Sequence, residues 1–192
     1  MVFMTRPDTS QRILDIAERL VQTRGYNGFS YADIAEAMRV TKASLHYHFP
    51  AKADLGSRLI ERYERKFLAA LETIDAEGKD ARDKLRRYAA IYEEVLRDNR
   101  MCLCGMLAAE FATLPKPMRE EMRHFFDENE RWLIAVLQQG KRDKVLQFSG
   151  SAADVAQSLI GTLEGAMMIA RSYGEAARFR AVSDRALGAL AA

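Results

Sequence analysis

Apolar residues recur along this chain at spacings of three and four, and no long stretch alternates apolar with polar residues. A helix brings side chains three and four apart onto one face, whereas a half-buried strand needs alternation. Only 4 prolines and 11 glycines interrupt the pattern, so long helices are possible. Hydrophobic residues make up 48% of the 192 positions, enough for a core without metals or disulfide staples. The expected fold class is all-α, with about nine helices.

Local punctuation sets the expected bounds. Ile13, Ile16, Ala17 and Leu20 mark a first helix over residues 9–23, stopped at Gly25. Ser30 and Asp33 have capping-box spacing and open a short second helix that buries Ile34, Ala35 and Met38. Thr41 caps a third helix, which must end before Pro50. The stripe Leu55, Leu59, Tyr63, Phe67, Leu71 and Ile74 marks a fourth over residues 51–75, and Gly78 breaks it. Further helices are expected over residues 80–97, 104–113, 118–139, 152–172 and 175–190, with Pro115 and Pro117 closing the sixth.

Two short helices joined by a tight turn are the minimum of a helix-turn-helix. The second of the pair must fit a DNA major groove, so its outer residues should be small, polar or hydrogen-bonding. Thr41, Lys42, Ala43 and Ser44 meet that demand, Leu45 and Phe49 can anchor the other side, and Tyr47 and His48 can reach phosphates or base edges. Ser30, with the amides that follow it, and Lys52 can each hold a phosphate. The chain carries 29 basic and 27 acidic residues, a net charge of +2, so any basic surface for DNA must be local.

The runs at residues 29–35 and 40–55 (Phe-Ser-Tyr-Ala-Asp-Ile-Ala, then Val-Thr-Lys-Ala-Ser-Leu-His-Tyr-His-Phe-Pro-Ala-Lys-Ala-Asp-Leu) closely resemble the DNA-binding domain of the tetracycline-repressor (TetR) family. The resemblance implies a DNA-binding domain at residues 1–55 and a helical effector-binding and dimerisation domain at residues 56–192. It implies a homodimer, usually a repressor, on a double-stranded operator, and a small-molecule pocket in the C-terminal part. It also implies that Ser30, Thr41, Lys42, Ala43, Ser44, Tyr47, His48 and Lys52 face DNA. The family usually has glycine where Arg39 stands, because glycine accepts a positive φ easily; Arg39 either strains the turn or adds a phosphate contact. It often has serine where Ala51 stands.

In the C-terminal part, Tyr63, Phe67, Tyr88, Tyr92, Met106, Phe111, Met122, Phe125, Trp132 and Met168 are candidates for a mostly apolar pocket. Stripes at this spacing also fit a plain core. Glu110 and Glu164 interrupt apolar stretches and suit a cationic or hydroxylated ligand, or a capping arginine. Residues 101–110, with Cys102 and Cys104, resemble the same region in a branch of the family that senses electrophiles and oxidants. A thiol near a helix N-terminus has its thiolate favoured by the free amides; two buried cysteines packing as small hydrophobes is the other reading. Gly161, Gly165 and Ala166 would allow close helix approach at a dimer surface, with Phe179, Val182 and Leu190 supplying apolar area.

Residues 1–7 lack the apolar core of a secretory leader, and no run of roughly 18 apolar residues suits a membrane span. A soluble cytoplasmic protein without a membrane partner is expected. No nucleophile–base–orienter set, phosphate loop or metal-ligand spacing is visible, so no catalytic residue, metal or cofactor is expected. The readings that stay open are an activator or effector-independent DNA binder and, in other classes, a helical interaction protein or a thiol enzyme.

Overall fold

The computed structural model describes residues 9–191. Residues 1–7, read above for a leader, lie outside them. Among the described residues the chain forms nine α-helices: α1 (Thr9–Arg24), α2 (Tyr31–Met38), α3 (Lys42–His48), α4 (Lys52–Glu77), α5 (Ala81–Arg97), α6 (Leu103–Ala109), α7 (Lys116–Arg142), α8 (Ala152–Tyr173) and α9 (Ala176–Gly188). No described helix is long and apolar enough to cross a membrane.

Most boundaries follow the sequence punctuation, and two depart from it for physical reasons. The expected sixth helix ends early, because Glu110 leaves helical geometry and a 3-10 turn, Phe111–Thr113, follows. Pro117 does not close a helix. It sits in the first turn of α7, where a missing amide hydrogen removes no intrahelical bond.

The stripe on α4 is buried throughout: Leu55, Leu59, Tyr63, Phe67, Leu71 and Ile74. It packs against α7, which lies in turn against α8, while α9 covers α5 and α8. The helix α4 runs unbroken through residue 55, the expected domain boundary. Arg62, also on its inner face, is buried and reaches α1, with Nη1 2.8 Å from Asp15 Oδ1 and Nη2 2.5 Å from Glu18 Oε2.

The C-terminus of α1 is the second joint between the two halves. A helix end leaves carbonyls and the amides beyond it in need of partners. Here several come from the C-terminal half. Met101 N–H donates to Gln22 O at 3.0 Å, and Arg171 Nη2 donates to Thr23 O at 2.6 Å. The amides of Tyr26 and Asn27 donate to the Glu110 carboxylate at 2.5 and 3.1 Å. Gly25 allows this approach: its φ is +85°, and a Cβ there would lie 2.8 Å from Glu110 Oε1.

Removing one partner of a buried ion pair leaves an uncompensated charge, whereas removing both need not. Arg62→Met is expected to destabilise the chain by about 3 kcal/mol, measured by urea denaturation. The double variant Glu18→Met, Arg62→Met should recover much of that loss. A neutral single variant would show that the pair does not hold α1 to α4.

Candidate nucleic-acid interface and buried chamber

α2 ends in a left-handed turn at Arg39, with φ 57° and ψ 46°, and Val40 N–H closes the turn onto Ala35 O at 3.0 Å. A non-glycine residue there costs on the order of 1 kcal/mol, so the arginine is tolerated in a position where glycine is easier. Beyond the turn, the Thr41 hydroxyl accepts the Ser44 amide at 3.4 Å and starts α3. Leu45 and Phe49 are buried, and Tyr31 Oη donates to Phe49 O at 2.8 Å. Locked on that side, α3 turns Thr41, Lys42, Ala43 and Tyr47 to solvent, with Ser44 and His48 half-buried. Tyr47 is 85% exposed, with its ring edge-on to that of His48 at 5.2 Å. His46, absent from the sequence candidates, has Nδ1 3.1 Å from Pro50 O and its ring against Tyr31, so it braces the turn.

Two phosphate candidates are engaged internally. Lys52 turns inward: Nζ donates to Tyr26 O at 2.5 Å and to Phe29 O, and sits 4.2 Å from the centre of the Phe29 ring. Burial holds its pKa below the usual lysine value, against the pull of Glu110 and Asp33. The amides of Ser30 and Ala32 are taken by the capping box, at 2.8 Å to Asp33 Oδ2 and 3.2 Å to Ser30 Oγ. The hydrogen bonds from Ser30 keep Asp33 ionised, which places a negative charge at the terminus expected to hold phosphate.

The C-terminal half encloses a chamber between α4, α5, α7 and α8. Tyr88 Oη donates to Asn129 Oδ1 at 2.7 Å, lies 3.0 Å from Tyr92 Oη, and Asn129 Nδ2 donates to Tyr92 Oη at 3.3 Å. This closed triangle satisfies three buried polar side chains. Around it, Phe67 packs edge-on against Phe125 at 5.0 Å, Tyr63 lies 5.6 Å from Phe125, and Trp132 stacks on Tyr88. Tyr63, Phe67, Ile91, Tyr92, Val95, Cys102 and Met167 border a narrow cleft too tight to hold a water molecule.

Several pocket and dimer candidates go elsewhere. Glu110 anchors the α1 terminus, as described above. Met168 is exposed, one position out of register with Met167, which faces inward. Met122 is buried, Met106 and Phe111 are half-buried, and Arg119 and Arg123 lie over the Phe111 ring. Ala166, Phe179 and Leu190 are buried within the chain itself and are not free for a partner. Gly161 and Gly165 have open space over their Cα atoms, and Met168, Ile169, Tyr173 and Val182 are exposed on α8 and α9.

Both cysteines are free and buried. Cys102 does sit at the N-cap of α6, and its sulfur accepts the Gly105 amide at 3.4 Å. Burial outweighs that bond and, with Glu164 nearby, pushes the Cys102 thiol well up; burial and then the neighbouring Cys102 and Glu164 do the same to Cys104. The thiolate favoured by the helix terminus is therefore suppressed. Glu164 is the unusual group. Its two carboxylate oxygens are sealed from solvent and meet no hydrogen-bonding N–H or O–H among the described residues. A Cβ at position 105 would overlap its Oε2, so Gly105 makes room for it. Burial raises its pKa to about 7, moderated by the Cys102 thiol beside it.

Asn129 and Arg62 were absent from the sequence candidates. Both lie on otherwise apolar stripes, Asn129 four residues from both Phe125 and Leu133. A polar residue at such a position is the signal that finds them.

The sequence profile for bacterial regulatory proteins of the tetR family matches residues 13–59, and that for the tetracyclin repressor-like C-terminal domain matches residues 81–186. The HTH-type transcriptional repressor DhaR of Mycobacterium sp. strain GP1 is 25% identical over 169 residues, 86% of this chain and 83% of that protein. A TetR-family transcriptional regulator from Agrobacterium tumefaciens superposes with a TM-score of 0.92 at 34% identity, covering 95% of this chain and 97% of its own. The reduced form of Escherichia coli NemR superposes at 0.81 with 25% identity, covering 96% and 98%.

A carboxyl whose pKa is raised on folding stabilises the fold at low pH, and that contribution is lost as pH rises through the folded-state value. For Glu164 the window runs from its ordinary 4.5 to about 7. Wild type should therefore lose on the order of 3 kcal/mol between pH 4.5 and pH 8 relative to Glu164→Gln. Thermal unfolding of both proteins across that range checks it; parallel curves would place the carboxylate in a solvated or paired environment.

Proposed function

This chain belongs to the TetR family of bacterial regulatory proteins, and on that premise we propose that it acts as a homodimeric repressor released from its operator by a small ligand. It is a DNA-binding transcriptional regulator rather than an enzyme. The observation that carries the reading is the contrast along α3. Leu45 and Phe49 are fixed in the core while Thr41, Lys42, Ala43 and the nearly bare Tyr47 face outward. Such a helix offers hydroxyls, a methyl, a cation and an aromatic ring to base edges and phosphates.

One seven-residue helix reads few base pairs. Two copies about a two-fold axis read a near-palindrome with half-sites about 34–36 Å apart, or a multiple. The surface that supports pairing is the outer stripe of α8 and α9, where Gly161 and Gly165 let a partner helix approach and Met168, Ile169 and Val182 supply apolar area. The protein works in the cytoplasm, where the operator is.

The route from ligand to DNA runs through α6. Cys102, at its start, borders the chamber, and Glu110, at its end, holds the amides that follow α1. A ligand that widens the chamber displaces α6, and with it the joint that fixes the N-terminal helices. The spacing of the two recognition helices then no longer fits the operator.

Two measurements test this reading. Tyr47→Ala and Lys42→Ala should each weaken operator binding by roughly tenfold to a hundredfold, with an unchanged circular dichroism spectrum, and Lys42→Ala should lower the salt slope by about one. Retained affinity in both would remove α3 from the interface. The double variant Met168→Asp, Ile169→Asp should sediment as a monomer at micromolar concentration and lose the operator; a dimer that persists would move the interface off α8.

A further inference from the structure

The joint between the two halves holds a pocket whose lining is unlike that of the apolar chamber. It has a volume of about 430 Å³ and lies between α1, α4 and the loop that follows α5, within the usual size of a small-ligand site. Four cations line it: Arg19 from α1, Arg62 and Lys66 from α4, and Arg100 from the loop. Three carboxylates share it, Asp15, Glu18 and Asp98, so the lining carries one positive charge in excess.

Each carboxylate is taken by a cation of the same pocket. Arg62 donates to Asp15 and Glu18, Lys66 Nζ lies 3.3 Å from Glu18 Oε2, and Arg100 Nη2 donates to Asp98 Oδ2 at 2.6 Å. Arg19 is the cation left over: its guanidinium makes no hydrogen bond or ion pair among the described residues. Arg62 is 7% exposed, and its Nε–H finds no acceptor among those residues either. A buried guanidinium with an unused donor, near a cation without a counterion, is short of acceptors.

We propose that this pocket binds a small hydroxylated organic anion, its carboxylate or phosphate group held between Arg19, Lys66, Arg100 and the deeper Arg62. The four cations form a gradient of depth. Arg62 is at the floor with its side chain 8% exposed, Arg100 follows at 27%, Lys66 at 56%, and Arg19 is at the open rim. A guanidinium fork matches the paired oxygens of either head group, and a cleft with an excess of one sign concentrates its field on an entering ion. Asp15 and Asp98, both 64% exposed at the mouth, accept hydrogen bonds from hydroxyls on the body of the ligand. The bound anion joins α1 to α4 and to the loop after α5, adding a tie across the joint that Arg62 makes with Glu18. The site is separate from the chamber and does not depend on the chamber's role.

Calorimetric titration of the wild-type protein with glycerol 3-phosphate and with tartrate tests the proposal, with ionic strength held constant by chloride and glycerol as the neutral control. The expected result is saturable binding of one anion per chain at about millimolar concentration or below, and none of glycerol. Binding of either anion supports the proposal, and the tighter one names the head group. Arg19→Gln removes a side chain that has no bond to lose, and Lys66→Gln removes an exposed one. Each should weaken binding by roughly tenfold, the size of one charge-assisted hydrogen bond, with an unchanged circular dichroism spectrum. Lys79→Gln, an equal loss of charge at the exposed turn between α4 and α5, should leave the affinity as it is. The anion should also raise the thermal midpoint of wild type more than that of Arg19→Gln. Absence of saturable binding by both anions, or an equal loss in the Lys79 variant, overturns the proposal.

Discussion

The end of α1 needs hydrogen-bond partners, and the C-terminal half provides them. Met101, Arg171 and Glu110 supply two donors and one carboxylate to a stretch of six residues, 22–27. These bonds replace contacts with water that the packed terminus can no longer make. Gly25 makes the geometry possible, and Lys52, bonded to Tyr26 and Phe29, holds the same turn from the other side. With the Arg62–Glu18 pair one turn away, the N-terminal helices are tied to the rest at two places along one helix. Their orientation is thereby set by the helices of the C-terminal half.

The chamber itself combines a satisfied and an unsatisfied part. Tyr88, Tyr92 and Asn129 close their hydrogen bonds on each other and rigidify the junction of α5 and α7. Glu164 has no such closure. The cysteines illustrate how depth competes with local dipoles. Cys102 has the N-cap position and the amide that should favour a thiolate, yet burial and the adjacent carboxyl win. Electrophile chemistry at this thiol would first require the chamber to open.

Much of the fold was legible in the sequence, because caps, breakers and three–four periodicity are local. Ser30 with Asp33, and Thr41, each cap the helix that their spacing announces. The exposed face of α3 was legible for the same reason: its outer residues differ in type from Leu45 and Phe49. Positions that depend on which way a long side chain turns were not. Lys52 and Glu110 are charged residues in plausible ligand-facing places, and both turn toward the backbone after α1. Phe179 and Leu190 read as a partner surface but are buried within their own chain.

The sequence by itself determined the helices, their order and the solvent-facing side of α3, since each depends on neighbours within a few positions. The tertiary structure alone decided that Glu110 is a joint, that Glu164 is a buried acid with only a thiol beside it, and that Met167 rather than Met168 faces the cleft. Those outcomes depend on groups distant in the chain: Glu110 lies 84 residues from Tyr26. A one-residue change of register on a helix turns a side chain by about 100°, which local pattern does not resolve until a second helix packs against it.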